Sequence, residues 1–201
     1  MPARTLVLAS GSPARLKLLR DSGFDPVVRV SGVDEDGIDP ADTPGSVARL
    51  AAAKAEAVAR PGGNALVVGC DSMLEFDGRP HGKPISIGEA RTWLAAMRGR
   101  SGVLYTGHSV IDEATGARAH AVVGTTVLFG DTTDAELDAY LSGPDVLEVA
   151  GAFTLDGRSA PFVDGIVGDP GNVIGLSLPA LRSLLGELGV SITDLWRDCG
   201  R

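Results

Sequence analysis

A serine-rich turn near the N-terminus has the composition of a phosphate-binding site. Ser10, Ser12 and Arg15 lie in the segment Ser-Gly-Ser-Pro-Ala-Arg, between a short apolar run and a predicted helix that Ser12 is placed to cap. Backbone N–H groups at such a helix start attract anions, and two hydroxyls and a guanidinium can add direct hydrogen bonds. An ordinary capped helix would show the same residues, so local chemistry leaves both interpretations open.

Two lysines are further candidates for binding an anion. Lys54 lies seven residues after Val47, on the apolar face of a predicted helix. A lysine there either extends its ammonium to solvent, which is the commoner arrangement, or meets an anion. Lys83 lies between Gly82 and Pro84, in a turn where the backbone can approach a ligand closely. Neither position alone separates a structural role from a functional one.

Carboxylates supply a third kind of candidate. Asp71 follows the buried run at residues 66–68, and the carboxyl end of a central strand is where α/β sheets place ligand-binding groups. Its neighbour Cys70 is interpreted as a small core residue. The loop with Asp34, Glu35 and Asp36 is a solvated acidic segment in isolation. If it reaches Asp71, its oxygens could help to hold Mg²⁺ against phosphates.

Composition limits the possible functions. The chain has 201 residues and a formal net charge of −8, which disfavours non-specific binding to DNA or RNA and an electrostatic membrane contact. Its two cysteines form no disulfide framework or zinc-ligand spacing, and the three histidines, including His108, are interpreted as surface residues. No signal peptide or membrane-length apolar run is present, so a cytoplasmic protein is expected.

Strand and helix patterns alternate along the chain, which predicts an α/β fold with a mixed sheet. Apolar runs and alternating patterns predict strands at residues 5–9, 25–30, 65–69, 74–76, 79–81, 102–112 and 118–129. Capping residues and apolar faces predict helices at residues 12–23, 43–59, 86–97, 133–143, 178–188 and 192–196. A glycine-rich stretch at residues 151–175 is expected to contain short strands.

Taken together, these motifs resemble the Maf family of septum-formation-like proteins. The matching segments are residues 8–15, 18–19, 33–35, 48–55, 70–72, 82–84, 105–107, 150–153 and 172–179. The resemblance runs from about residue 5 to residue 188. It implies a single Maf-like domain over residues 1–201 with an ITPase-like α/β fold. In that fold a mixed, twisted central sheet is flanked by helices, with two lobes around a cleft.

The resemblance also implies an activity. Maf proteins are nucleoside triphosphate pyrophosphatases, so hydrolysis of a nucleoside triphosphate to a monophosphate and pyrophosphate is expected, with house-cleaning of non-canonical or modified nucleotides as its purpose. The catalytic positions would be Asp71, Lys83, Lys54 and Arg15. Asp71 would accept a proton from the attacking water, and the three cations would neutralise phosphate charge. Substrate-binding positions would be Ser10, Ser12, Ala14, Ser72 and Asp156. Glu35 and Asp71 would hold a divalent cation, Mg²⁺ or Mn²⁺.

Three positions depart from the family pattern. Ala14, Ser72 and Asp156 stand where many relatives have Arg, Thr, and Gln or Glu, and these positions are associated with base specificity. The base therefore stays open, with 7-methyl-GTP or a modified pyrimidine nucleotide as alternatives. A nucleotide-binding regulator of cell division or septum formation, with weak catalysis, is the alternative function. The expected partners are a nucleoside triphosphate and, as in many family members, a second copy in a homodimer.

Overall fold

The computed structural model describes residues 4–34, 39–144 and 146–197. Its strands are β1 (Thr5–Leu8), β2 (Val27–Val28), β3 (Ala65–Phe76), β4 (Arg79–His81), β5 (Ser101–Asp112), β6 (Arg118–Phe129) and β7 (Val163–Val167). Its helices are α1 (Pro13–Asp21), α2 (Thr43–Val58), α3 (Ile87–Met97), α4 (Asp134–Leu141), α5 (Pro170–Ile174) and α6 (Leu178–Glu187). Short 3-10 turns cover Val146–Glu148, Ala150–Ala152, Ala160–Phe162 and Ile192–Leu195.

The strands form one mixed, seven-stranded sheet, as the sequence predicts. The order across it is β2-β1-β3-β5-β6-β7, with β4 paired to β3 off this path. β1 pairs in parallel with both β2 and β3, whereas β3, β5, β6 and β7 pair in antiparallel fashion. The predicted fold class is therefore confirmed. The two lobes and the single domain over residues 1–201 stay predictions.

Strand β3 is longer than the sequence predicts. Its twelve residues run unbroken from Ala65 to Phe76, where the sequence suggested a strand ending at residue 69 and a separate hairpin. The polar residues between those two segments remain extended because β5 pairs with β3 from Leu66 to Glu75. Asp71 consequently lies within a strand and not after its end, which corrects the earlier interpretation.

One edge of β3 changes partner along its length. β1 pairs with this edge as far as Val68, and β4 pairs with it from Leu74 onwards. Among the described residues no strand pairs with this edge between those two positions, which are six residues apart. At roughly 3.3 Å per residue the opening is about 20 Å long. We call this segment of β3, residues 69–73, the open edge.

Helix α2 packs directly on the sheet at two glycines. A Cβ atom on Gly69 would lie 2.2 Å from the Ala51 carbonyl oxygen, and one on Gly107 would lie 2.2 Å from the Val47 carbonyl oxygen. Because no side chain fits at such a separation, both positions require glycine. The close approach brings the buried face of α2, including Lys54, against β3.

The opposite face of the sheet is covered mainly by α1 and α6. Apolar residues of these helices pack with β1, β3 and β5 in a core that contains Leu8, Leu19, Leu66, Val110, Leu181 and Leu184. Successive residues of a strand point to opposite faces. Odd-numbered residues of β3 near the open edge therefore face α2, and even-numbered ones face α1 and α6.

Other elements differ from the predictions in extent. The predicted strand at residues 25–30 is reduced to the two residues of β2, at the sheet edge. The glycine-rich stretch contains the single strand β7 and the short helix α5, which the sequence did not indicate because α5 is only five residues long.

The start of α3 is capped by Ser86, whose Oγ accepts a hydrogen bond from the Glu89 N–H. The Glu89 carboxylate accepts from the Ile85 N–H. In the described part of the chain, no helix combines the length and apolarity needed to cross a bilayer.

Candidate functional site

Asp71 and Lys54 form a buried ion pair on the α2 face of the sheet. Lys54 Nζ donates to Asp71 Oδ1 at 2.6 Å, and the two side chains are only 8% and 9% exposed. Lys54 therefore does not extend its ammonium to solvent. Its counter-ion is a carboxylate of β3 and not an external anion. Each group thus supplies the opposite charge that the other needs in the protein interior.

Arg15 is buried on the other face of the same strand. Its Nε donates to the Gly175 carbonyl at 2.7 Å, its Nη1 to Ser10 Oγ at 3.1 Å and its Nη2 to Ser72 Oγ at 2.8 Å. The residue is 8% exposed. In the described part of the chain, its hydrogen-bond partners are all uncharged oxygens. A buried cation of this kind is costly unless an anion compensates it.

The Lys54 ammonium and the Arg15 guanidinium contact two consecutive residues of β3. Asp71 and Ser72 lie side by side in the open edge, so their side chains point to opposite faces of the sheet. Lys54 holds the first from α2 and Arg15 contacts the second from α1. The sheet separates the Asp71 carboxylate from the Arg15 guanidinium. A ligand that contacts both groups would therefore lie at the open edge, which neither β1 nor β4 covers.

The N-terminal serines have different local roles. Ser12 is the N-cap of α1, and its Oγ accepts from the Arg15 N–H at 3.4 Å. Ser10 Oγ accepts from the Ser12 N–H at 3.2 Å as well as from Arg15. The predicted capped helix and the predicted clustering of Ser10 with Arg15 are therefore both present. Ala14 is partly exposed in the first turn of α1.

Among the described residues, Lys83 and Asp156 form no hydrogen bond or ion pair with Asp71, Lys54 or Arg15. Lys83 is exposed two residues after β4, and it makes no hydrogen bond to the residues that the structure describes. Asp156 is exposed and accepts a hydrogen bond from the Thr154 hydroxyl. The hydrogen bond and charge of the Asp21 carboxylate raise the pKa of Lys17, and the Asp156 charge adds a smaller effect in the same direction.

Of the two residues predicted to bind a metal, the structure describes Asp71 only. Glu35 lies outside the described residues, as does Asp36. Within the described ranges no group of three or more His, Cys, Asp or Glu side chains is arranged to hold a metal ion. Mg²⁺ is commonly bound through one or two protein carboxylates together with substrate phosphates. The buried Asp71 carboxylate would supply one such ligand, with the remaining ligands coming from the substrate and solvent.

The sequence analysis did not single out Thr106 and Asn172, which lie beside Ser72 in the site. Thr106 Oγ1 lies 2.9 Å from Ser72 Oγ and donates to the Asn172 carbonyl at 2.9 Å. Asn172 is fully buried and its side-chain amide donates to the Leu104 carbonyl at 3.1 Å. Both residues lie in segments that match the family pattern, and that match was the signal that could have assigned them.

The interpretation of Cys70 is confirmed, but that of His108 is wrong. Cys70 is fully buried in the core with Val68 and Leu66, and burial raises the pKa of its thiol to about 11. His108 was expected at the surface and is 2% exposed. It lies opposite Cys70 on β5 and faces α6, since the sheet is covered on both sides at this point.

Fold and site together define an α/β protein with a buried guanidinium and a buried carboxylate–ammonium pair at an opening in its sheet. Residues 5–188 match the family model described as Maf-like protein, and the chain belongs to the Maf family. Proteins named nucleoside triphosphate pyrophosphatase are similar over nearly the whole chain. The one from Streptomyces avermitilis is 57% identical, covering 97% of this chain and 96% of its own length. That from Streptomyces coelicolor is 58% identical with the same coverage, and that from Gloeothece citriformis is 47% identical over 95% of this chain and 97% of its own.

Proposed function

We propose that this protein is a nucleoside triphosphate pyrophosphatase that hydrolyses its substrate between the α- and β-phosphates, releasing a monophosphate and pyrophosphate. The main structural support is the buried Arg15 guanidinium, whose described partners are neutral oxygens. A polyphosphate would supply the missing negative charge. Membership in the Maf family and the names of the relatives point to the same activity.

Asp71 is assigned as the proton acceptor for the attacking water. Its carboxylate is oriented by the Lys54 ammonium at 2.6 Å, and a carboxylate held in place in this way is suited to act as a general base. Holding water and phosphate together at the open edge would supply much of the acceleration, because phosphoryl transfer depends mainly on positioning and charge stabilisation. The main role of Lys54 is therefore to hold Asp71, and any contact between Lys54 and a phosphate would be additional.

Arg15 and Lys83 are assigned to the phosphates. Arg15 donates three of its five N–H groups to Gly175, Ser10 and Ser72, which fixes the guanidinium plane and leaves one N–H on each terminal nitrogen for a phosphate. Lys83 is exposed beyond β4 and can reach toward a bound substrate with its flexible side chain. The two would balance the charge that grows on the leaving pyrophosphate.

A divalent cation, Mg²⁺ or Mn²⁺, is part of this proposal. Asp71 and Glu35 would hold it, and when bound it would polarise the phosphate and lower the pKa of a coordinated water. House-cleaning of non-canonical or modified nucleotides is likewise proposed. The partly exposed Ala14 and Ser72 and the exposed Asp156 are the positions that would select the base, on the strength of the family resemblance. The homodimer and the cytoplasmic location stay predictions.

The alternative function, a division regulator with weak catalysis, is not favoured by the names of the relatives. Incubating the purified protein with a panel of standard and modified nucleoside triphosphates and Mg²⁺ or Mn²⁺ separates the two functions. The enzyme hypothesis predicts stoichiometric monophosphate and pyrophosphate from at least one nucleotide. Nucleotide binding without pyrophosphate release from any member of the panel would contradict it.

A further inference from the structure

His108 is the buried titratable group that the proposed chemistry leaves unused. It lies in β5, is 2% exposed, and its Nε2 accepts a hydrogen bond from the Ser177 N–H at 2.8 Å. An acceptor nitrogen carries no proton, so the ring is neutral with its proton on Nδ1. Within the described residues Nδ1 has no hydrogen-bond partner. Among the described residues the bond from Ser177 is therefore the ring's one hydrogen bond of good geometry, although the nearby Thr106 and Ala121 carbonyls also interact with the ring.

Ser177 lies in the segment of residues 172–177, which also contains the Gly175 carbonyl that Arg15 contacts. Two residues earlier, the Gly175 carbonyl accepts from Arg15 Nε at 2.7 Å. Gly175 has a φ of 119° and a Cβ there would lie 2.9 Å from Arg15 Nε, so the backbone itself lies against the guanidinium. Fixing Ser177 therefore limits how far the Gly175 carbonyl can move away from Arg15.

Strand β5 contacts this segment at a second point. Thr106 lies two residues before His108, on the same face of the strand. Its hydroxyl donates to the Asn172 carbonyl at 2.9 Å and lies 2.9 Å from Ser72 Oγ, which accepts from Arg15. Thr106 and His108 thus attach the two ends of residues 172–177 to the rigid centre of the sheet.

We propose that His108 is a positioning residue for Arg15: its neutral ring holds the Ser177 N–H and thereby fixes the Gly175 carbonyl that orients the guanidinium. This inference rests on the proposed function, in which Arg15 binds phosphate. Burial, and secondarily the Arg15 charge, lowers the pKa of His108 to about 4, so the ring stays an acceptor throughout the neutral range.

Two substitutions separate the acceptor from the volume of the ring. His108→Gln places an amide oxygen near the position of Nε2 and keeps the acceptor, whereas His108→Met fills similar space without one. We expect His108→Met to lower kcat/KM for a nucleoside triphosphate about tenfold, which corresponds to about 1.4 kcal/mol. His108→Gln should stay within about twofold of the parent protein. Equal kinetics for His108→Met and the parent would overturn the proposal.

A double-mutant cycle tests whether the effect passes through Arg15. In an Arg15→Ala background, His108→Met should change kcat/KM by less than about twofold, because there is no guanidinium left to orient. An unchanged tenfold loss in that background would show a purely structural role. If His108→Met does not fold, the amide pair His108→Gln and His108→Asn replaces it, since the shorter Asn oxygen cannot reach the Ser177 N–H.

Hydrogen exchange measured by NMR gives a result that does not depend on activity. The Ser177 amide and the Arg15 Nε–H should exchange faster in His108→Met and remain protected in His108→Gln. Unchanged protection of both protons in His108→Met would contradict the positioning role even if kinetics changed. If the parent protein releases no pyrophosphate from any nucleotide, the proposed function fails, while this exchange measurement still decides whether His108 orders Arg15.

Discussion

Lys54 and Asp71 join helix α2 to the open edge of β3 through a 2.6 Å contact in the protein interior. The pair places the Asp71 carboxylate one residue from Ser72, which contacts the buried Arg15 from the other face. At its open edge, strand β3 thus presents a base on one side and an anion-binding cation on the other. The proposed chemistry depends on this alternation.

Breaking the Lys54–Asp71 pair should cost both stability and activity. Lys54→Met leaves the Asp71 carboxylate buried without its cation, which we expect to lower the free energy of unfolding by about 3–5 kcal/mol. Urea denaturation measures this change. Adding Asp71→Asn to Lys54→Met should recover part of the loss, because the buried negative charge that Lys54 balanced is then removed. A double variant as unstable as the sum of the single variants would show that the two residues act independently.

The Ser72 hydroxyl should matter because it accepts from Arg15 and lies 2.9 Å from Thr106 Oγ1. We expect Ser72→Ala to lower kcat/KM about tenfold, the equivalent of one hydrogen bond to a charged group. Ser109→Ala is the matched control, since Ser109 is fully buried on the adjacent strand and its hydroxyl has no partner among the described residues. Steady-state kinetics should show Ser109→Ala unchanged. Similar losses in both variants would remove Ser72 from the site.

Stability should fall in two steps as the pH is lowered. Burial lowers the pKa of His108 to about 4 from 6.5, so the unfolded chain binds a proton that the folded protein excludes between these values. Stability therefore decreases from about pH 6.5 down to about pH 4, by a few kcal/mol. Thermal unfolding across this range measures the slope. His108→Gln, which cannot titrate, should show a flatter profile, and an identical slope would contradict this assignment.

A second acid-sensitive group lies at the far end of the sheet. Burial disfavours ionised Glu113, but hydrogen bonds from the N–H groups of Arg60 and Ala65 and from the Arg29 guanidinium outweigh it and lower the pKa of Glu113 below 4.5. A lowered carboxyl pKa contributes stability above pH 4.5 that is lost as the pH falls further. We expect Glu113→Gln to destabilise the protein by about 1–3 kcal/mol at pH 7 and by less at pH 3. A pH-independent difference in melting temperature would argue against it.

The sequence predicted the sheet and most helices because their signals are local. Capping residues such as Ser12 and Thr133 and the long alternation of β5 and β6 fix those elements without knowledge of their neighbours. The continuity of β3 through Asp71 could not be seen, because it depends on pairing with β5 and not on the polar residues themselves.

The site was predictable in its members but not in its arrangement. Lys54 was recognised as a lysine on an apolar face, yet its partner Asp71 is seventeen residues away on another element. Arg15 was recognised, but its burial depends on Gly175, which is 160 residues further along the chain. His108 was misassigned to the surface because the sequence does not show that helix α6 covers its strand.

The most direct test of the account is the turnover of Asp71→Asn, measured as pyrophosphate release with the parent protein's preferred nucleotide and Mg²⁺ or Mn²⁺. Asp112→Asn is the matched control, since Asp112 is also a buried aspartate but pairs with Arg4 at the other end of β5. We expect Asp71→Asn to lose stability, because it breaks the pair with Lys54, yet to remain folded and to lose turnover about 10³-fold or more; Asp112→Asn should also lose stability but keep its turnover. A folded Asp71→Asn variant with the parent protein's turnover would contradict the account.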